Sequence, residues 1–179
     1  MERVFTDHLG DWQRSCYCGE PRADGVGREM TLVGWAQSRR DHGGLIFVDM
    51  RDRSGIIQVV FNPEIDPAAH EKAKQIRSED VLAVRGLLAR RPPETINPDL
   101  STGAVELSVR EVRLLNASQV PPFLIEDETD ANENTRLKYR YLDLRRPQSL
   151  GHLLLRYRMT KKIRDTWTVR DLSRLKPRC

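Results

Sequence analysis

Three side chains of complementary chemistry stand on strand-like stretches of this chain: the ring of Phe47, the amide of Gln58 and the carboxylate of Glu106. A ring stacks on the face of any nucleobase, and an amide and a carboxylate match hydrogen-bonding base edges, so the trio suits a few unpaired bases. The same trio also reads as an aromatic ring covering a sheet edge beside two solvated polar groups, and residue type leaves both readings open. Arg39 and Arg40 precede Asp41, His42, Gly43 and Gly44. A basic pair beside a glycine turn fits a phosphate or a splayed base, or an ordinary hairpin loop. His42 and His70 have no carboxylate or cysteine neighbours at metal-ligand spacing. The sequence holds no GxxxxGK[ST] or GxGxxG run, and no nucleophile paired with a base. No catalytic site is expected.

The elements that position these residues follow from apolar periodicity. Strands are predicted at Thr31–Ser38, Leu45–Arg51, Ile56–Asn62, Val81–Ala89 and Val105–Leu115, with turn residues Asp52 to Gly55 between the second and third. A short helix is predicted over Ala68–Arg77, where Ala69, Ala73 and Ile76 recur at i, i+4 and i+7. Five strands with a helix between the third and fourth is the order of an all-β OB-fold barrel. Alternation puts Ile46, Val48 and Met50 on one face of the second strand and Phe47 and Asp49 on the other. It likewise separates Gln58 from Ile57 and Val59, and Glu106 from Val105 and Leu107.

A length of 179 residues and a hydrophobic content of 39% suffice for one ordinary domain and an appendage. No apolar run approaches the roughly 20 residues of a membrane span, and Met1–Ser15 has no apolar stretch of secretory type. The expected location is the cytoplasm. Cys16, Cys18 and Cys179 form neither a disulfide framework nor a zinc set. The formal net charge of +4 is unevenly held. Residues 145–179 carry 11 of the 30 basic residues and 2 of the 26 acidic ones, so residues 1–144 carry 19 and 24. Nucleic-acid binding by the body must therefore rest on placed side chains, because diffuse attraction does not support it.

The chain divides into a loosely ordered extension (1–16), the β-rich domain (17–117), a hinge (118–134) and a basic helical region from 135. The acidic run Glu126, Asp127, Glu128, Asp130 and Glu133 reads as solvated linker. Within the predicted helix 149–165, Leu150, Leu153, Leu154 and Tyr157 recur at helical spacing and suggest a packing face.

YCGE (17–20), TLVGWAQSRRDHGGLIFVDMRDRSGIIQVVF (31–61), INPDLSTGAVEL (96–107) and TRLKYRYLDLRRP (135–147) together closely resemble the N-terminal region of the bacterial aspartyl-tRNA synthetase family, over about residues 17–165. The last of these runs favours the aspartate enzymes over their lysine and asparagine relatives. The resemblance implies an OB-fold that binds tRNA and reads the aspartate anticodon: Phe47 stacks on an anticodon base, Gln58 hydrogen-bonds to it, and Glu106 and Arg40 contact neighbouring bases. Arg91 and Asn97 match loop positions that also approach the anticodon in the family. His42 beside Gly43 and Gly44 resembles a loop in members that accept both aspartate and asparagine tRNAs. Residues 135–165 match the start of the class II catalytic domain, which in the parent family uses ATP and Mg²⁺ and forms a homodimer.

The resemblance stops at Asp165. A back-translation with freely chosen third bases, read from the third base of the Asp165 codon, yields GFVEIETPL, which matches the family's motif 1. The expectation is a frameshift near Arg164 or Asp165, with residues 166–179 out of frame and without a selected fold. Such a chain lacks the ATP and aspartate sites, has no catalysis or cofactor of its own, and has an incomplete dimer interface with an exposed, aggregation-prone helix. The alternatives are a free-standing OB-fold protein for single-stranded RNA and a frameshifted product without function.

Overall fold

The computed structural model describes residues 7–169, and the chain divides into two units between Val120 and Pro121. Among the described residues of the first unit, five strands close into a barrel: β1 (Glu29–His42), β2 (Leu45–Arg51), β3 (Ile56–Phe61), β4 (Val81–Arg90) and β5 (Val105–Asn116). Their order around the wall is β1-β2-β3-β5-β4. Neighbours run antiparallel except β3 and β5, whose parallel register pairs Val59 with Leu107. The inward residues Leu32, Ile46, Val48, Ile57, Phe61 and Leu107 are fully buried. Removing these branched and aromatic side chains from water is the main favourable contribution to the barrel.

β1 is longer at both ends than the predicted Thr31–Ser38, because one strand serves two neighbours. Glu29–Trp35 pair with β4, while Trp35–His42 pair with β2. The register slips between Ala36 and Ser38, where a β-bulge bends the strand from one neighbour to the other. The turn before β4 holds that bulge. Ala36 exchanges backbone hydrogen bonds with Glu79 and Asp80, at 2.6 and 2.9 Å, and the Ser78 hydroxyl donates to the Gln37 carbonyl at 3.1 Å. Glu79 adopts the left-handed region at φ 67° and is tied by a 2.6 Å ion pair to Arg51.

α1 (Pro67–Ala73) lies between β3 and β4, with Asp66 accepting from the Ala69 amide at 2.7 Å and Pro67 in the first turn. It ends four residues before the predicted Arg77. Residues 74–76 continue as tighter turns, with Gln75 N donating to Lys72 O and Ile76 N to Ala73 O. Ala69, Ala73 and Ile76 still join the core, so the apolar spacing is retained where the helical hydrogen bonding is not.

The N-terminal segment corrects an expectation. Residues 7–16 lie against the barrel instead of forming a loose extension. Trp12 is buried between the guanidiniums of Arg85 and Arg113, 4.4 and 4.0 Å from its ring. Asp7 and Ser15 make backbone bonds to Leu114 and Thr31. The YCGE run is likewise fastened: Cys18 N donates to the Asp52 carboxylate and Gly19 N to the Ser54 hydroxyl, both at 2.8 Å. These bonds and those from Ser54 hold the Asp52 carboxyl below its ordinary range, against the opposing effect of burial. Cys18 is fully buried, Cys16 is half-buried, and Cys179 lies outside the described residues.

In the second unit, α2 (Glu133–Lys138), α3 (Arg140–Asp143) and α4 (Pro147–Val169) follow in sequence. Asp143, buried, receives Arg136 at 2.9 Å and the buried Arg146 at 3.0 Å. Asp127, expected in a solvated linker, instead accepts from the Gln148 amide in the first turn of α4 at 3.1 Å. α4 exposes Leu150, Leu153, Leu154, Leu155, Tyr157 and Met159. Leu150, Leu153, Leu154 and Tyr157 keep the predicted i, i+3, i+4, i+7 spacing on this helix, and Leu155 and Met159 add apolar surface outside that stripe. The helix runs on through Val169, past the point where the resemblance ends, and residues 170–179 lie outside the described residues. No described helix is long and apolar enough to cross a membrane.

Candidate nucleic-acid interface on the barrel wall

The bulge decides which arginine reaches the outer face. Strict alternation from the inward Leu32 and Ala36 would turn Ser38 and Arg40 inward as well. The extra residue in β1 reverses that phase, so Ser38 stands opposite Asp49, and Arg40 opposite Phe47. Across β2, Asp49 stands opposite Gln58 and Phe47 opposite Val60. Ser38, Arg40, Phe47, Asp49 and Gln58 therefore share the outer face, and Glu106 joins them from β5.

A chain of hydrogen bonds links the polar members. The Ser38 hydroxyl donates to Asp49 at 2.6 Å, and Arg40 Nη2 donates to both Asp49 oxygens at 3.1 and 3.0 Å and to Gln58 Oε1 at 3.5 Å. Gln58 Nε2 donates to Glu106 Oε2 at 2.9 Å. Gln58 is only 7% exposed, held between a donor and an acceptor that fix which end of its amide faces which partner. Arg40 keeps 59% of its side chain exposed and retains donors for a ligand. Phe47 is half-buried and lies outside the hydrophobic core. The face thus offers one ring, one exposed guanidinium tethered to Asp49 and an oriented amide–carboxylate pair.

Burial pushes the Glu106 carboxyl above its ordinary range, with the bond from Gln58 and the charge of Arg91 acting the other way. A raised folded-state value means that the charged form is penalised on folding at neutral pH, and that the penalty fades as pH falls toward the unfolded value. Glu106→Gln is accordingly expected to melt above the wild type at pH 7, with the gap closing as pH falls through the carboxylate range. Thermal melts across that range test this, and a gap that is absent or widens on acidification overturns it.

Arg91, at the end of β4, is 6% exposed and donates through Nε to Val105 O at 3.1 Å and through Nη1 to Thr95 O at 3.5 Å. Its Nη2 is buried without a hydrogen-bond partner among the described residues. Burial lowers its guanidinium from the usual value, while Glu106 and Asp49 act in the opposite sense. Asn97 stands apart from the network. Its Oδ1 accepts from Asp99 N at 3.0 Å, so this oxygen shapes the loop between β4 and β5. The structure gathers Arg40, Phe47, Gln58 and Glu106 on one face, sets Arg91 at the end of β4 and leaves Asn97 in the adjoining loop.

Two assignments change. Arg39 and Arg40 are not a loop pair: both lie in β1, and consecutive strand residues point to opposite sides, so Arg39 Nη1 reaches the Lys74 carbonyl at 2.5 Å. Asp49 and Ser38, absent from the predicted site, are the groups that hold Arg40. The signal for Asp49 was its outward phase beside Phe47; the signal for Ser38 required the bulge, which no residue pattern in β1 announces.

Residues 30–115 match the family of OB-fold nucleic acid binding domains of the tRNA anticodon type. The aspartate–tRNA(Asp/Asn) ligase of Syntrophotalea carbinolica is 54% identical over 159 residues, 89% of this chain and 27% of that protein. This chain thus spans about a quarter of the length of the curated relatives it matches. Among solved structures, asparaginyl-tRNA synthetase from Pyrococcus horikoshii with asparaginyl-adenylate superposes with a TM-score of 0.72 at 24% identity, covering 89% of this chain and 35% of that one. Aspartyl tRNA synthetase from Entamoeba histolytica gives 0.73 at 16% identity, covering 83% and 36%. At these identities the two structures speak for the fold.

Proposed function

We propose, from the premise that this chain is a homologue of the aspartate–tRNA(Asp/Asn) ligases carrying their OB-fold nucleic acid binding domain, that its outer face reads the anticodon of the aspartate tRNA. The observation that carries this reading is the continuous network Ser38–Asp49–Arg40–Gln58–Glu106 beside the half-buried ring of Phe47. Phe47 stacks on one base, and the preset Gln58 amide addresses that base's edge. Arg40 and Glu106 supply a donor and an acceptor to its neighbours. Arg91 stands at the end of β4, and Asn97 lies on the loop that follows it, the two further positions assigned to the anticodon in this reading.

The joining of aspartate to tRNA, the ATP and Mg²⁺ it uses and the pairing of two subunits belong, in this reading, to such ligases as whole proteins. Among the described residues no group of three or more His, Cys, Asp or Glu side chains is placed to hold a metal ion, and adenylate chemistry is not assigned to them. The test is binding of this chain to three RNA hairpins carrying the aspartate, the asparagine and an unrelated anticodon. The aspartate hairpin is expected to bind more tightly than the unrelated one by about 5- to 150-fold, the discrimination of about 1–3 kcal/mol typical of a mismatched position. Equal affinity for all three overturns the reading in favour of a general single-stranded RNA binder. The asparagine hairpin reports whether the loop His42–Gly44 relaxes the choice.

A further inference from the structure

On the far side of β1 from Arg40 lies a cleft of about 530 Å³ lined by Arg39, Lys74, Gln75, Ile76 and Arg77. Three of these five residues are cationic and none is acidic. Arg39 is held by its bond to the Lys74 carbonyl, which also satisfies an acceptor at the end of α1. Ile76, buried, belongs to the core beneath. Lys74 is shared with the exposed Glu71 at 2.7 Å, outside the lining. The lining has no ring for stacking and no oriented carboxylate for a base edge. Its chemistry is that of an anion seat.

We infer that this cleft takes a backbone phosphate of the same RNA strand whose bases lie on the outer face, an inference that rests on the anticodon reading above. Arg39 and Arg40 have Cα atoms about 3.8 Å apart and side chains on opposite sides of one strand. The end of β1 is therefore a rim one strand thick, with a base-facing guanidinium on one side and a cationic cleft on the other. The hairpin tip beyond it is Gly43 and Gly44, at φ 61° and 80°, with open space where side chains would stand. A nucleic-acid strand can cross there without obstruction. Residues 1–144 carry more acidic than basic residues, so diffuse attraction does not hold the RNA and discrete phosphate contacts must.

The experiment uses the full chain with Lys74→Gln and Arg77→Gln together, two side chains whose heads carry no core contact. Binding of the aspartate and unrelated hairpins is measured between 50 and 200 mM salt, where about 0.7–0.9 of the log–log slope belongs to each phosphate contact. The expected result is weaker binding of both hairpins by a similar factor, with the slope reduced by about 0.7–0.9, the share of one phosphate. The charge-keeping pair Lys74→Arg and Arg77→Lys should restore the slope. Wild-type affinity and slope in the glutamine variant, with Phe47→Ala still impaired, overturn the phosphate seat and leave the anticodon reading standing. Failure of the wild-type chain to bind either hairpin overturns both.

Discussion

Phe47→Ala is expected to weaken binding of the aspartate-anticodon hairpin by about 5- to 150-fold, corresponding to the roughly 1–3 kcal/mol that a base–aromatic stack contributes. The reason is positional. Phe47 stands on the outer face of β2, between Arg40 on β1 and Val60 on β3, and takes no part in the hydrophobic core that Ile46 and Val48 build on the other side of the same strand. Truncating it leaves no cavity in the barrel, so the melting temperature should move by only a few degrees, unlike a core phenylalanine such as Phe61, whose removal costs about 3–5 kcal/mol. Hairpin titrations and thermal melts on the same variant separate the two roles. A large fall in melting temperature with unchanged affinity per folded molecule would make Phe47 a structural residue and sink the stacking assignment.

How far this surface can be read from the sequence depends on whether each residue's phase is set locally. β2 runs over its predicted span, and alternation about Ile46, Val48 and Met50 puts Phe47 and Asp49 outward without knowledge of any partner strand. Gln58 and Glu106 follow in the same way from their fully buried neighbours. Arg40 does not. Its orientation depends on a bulge in β1 that is held by Ser78, Glu79 and Asp80, some 40 residues away along the chain, so inspection of residues 31–42 alone cannot place it. Trp12 is illegible for a related reason: its partners Arg85 and Arg113 sit on β4 and β5 and become a clamp only once those strands pair. Composition suggested a loose segment because a charged, weakly periodic stretch can be ordered by cations it meets only in the folded state. Asp127 likewise looks like linker charge until the first turn of α4 presents an unpaired amide to it.

Gly103→Ala is expected to destabilise the barrel by about 3 kcal/mol and lower its melting temperature by about 10–20 °C, from the usual cost of overpacking plus two lost backbone hydrogen bonds. A Cβ at this position would stand 1.7 Å from the Asn97 carbonyl oxygen and 3.0 Å from that of Leu100, and backbone atoms cannot swing away as a long side chain does. The loop has to open, which breaks the pairs Asn97 N to Gly103 O at 3.2 Å and Gly103 N to Leu100 O at 2.9 Å. It also pulls on Thr102, buried next door with its hydroxyl on the Ile56 carbonyl of β3, and on Ala104, whose carbonyl accepts from Arg91 N. The same displacement shifts Asn97 in its loop and, through Ala104, Arg91 at the end of β4. Hairpin affinity measured well below the melting temperature should therefore fall even though Phe47, Gln58 and Arg40 are untouched. Gly151→Ala, in α4 with open space around it, is the control in which an added methyl should leave the barrel's melting unchanged. A Gly103→Ala barrel that melts within a few degrees of wild type would show that the loop yields freely, and with it would go the expectation that Arg91 and Asn97 are held ready for a ligand.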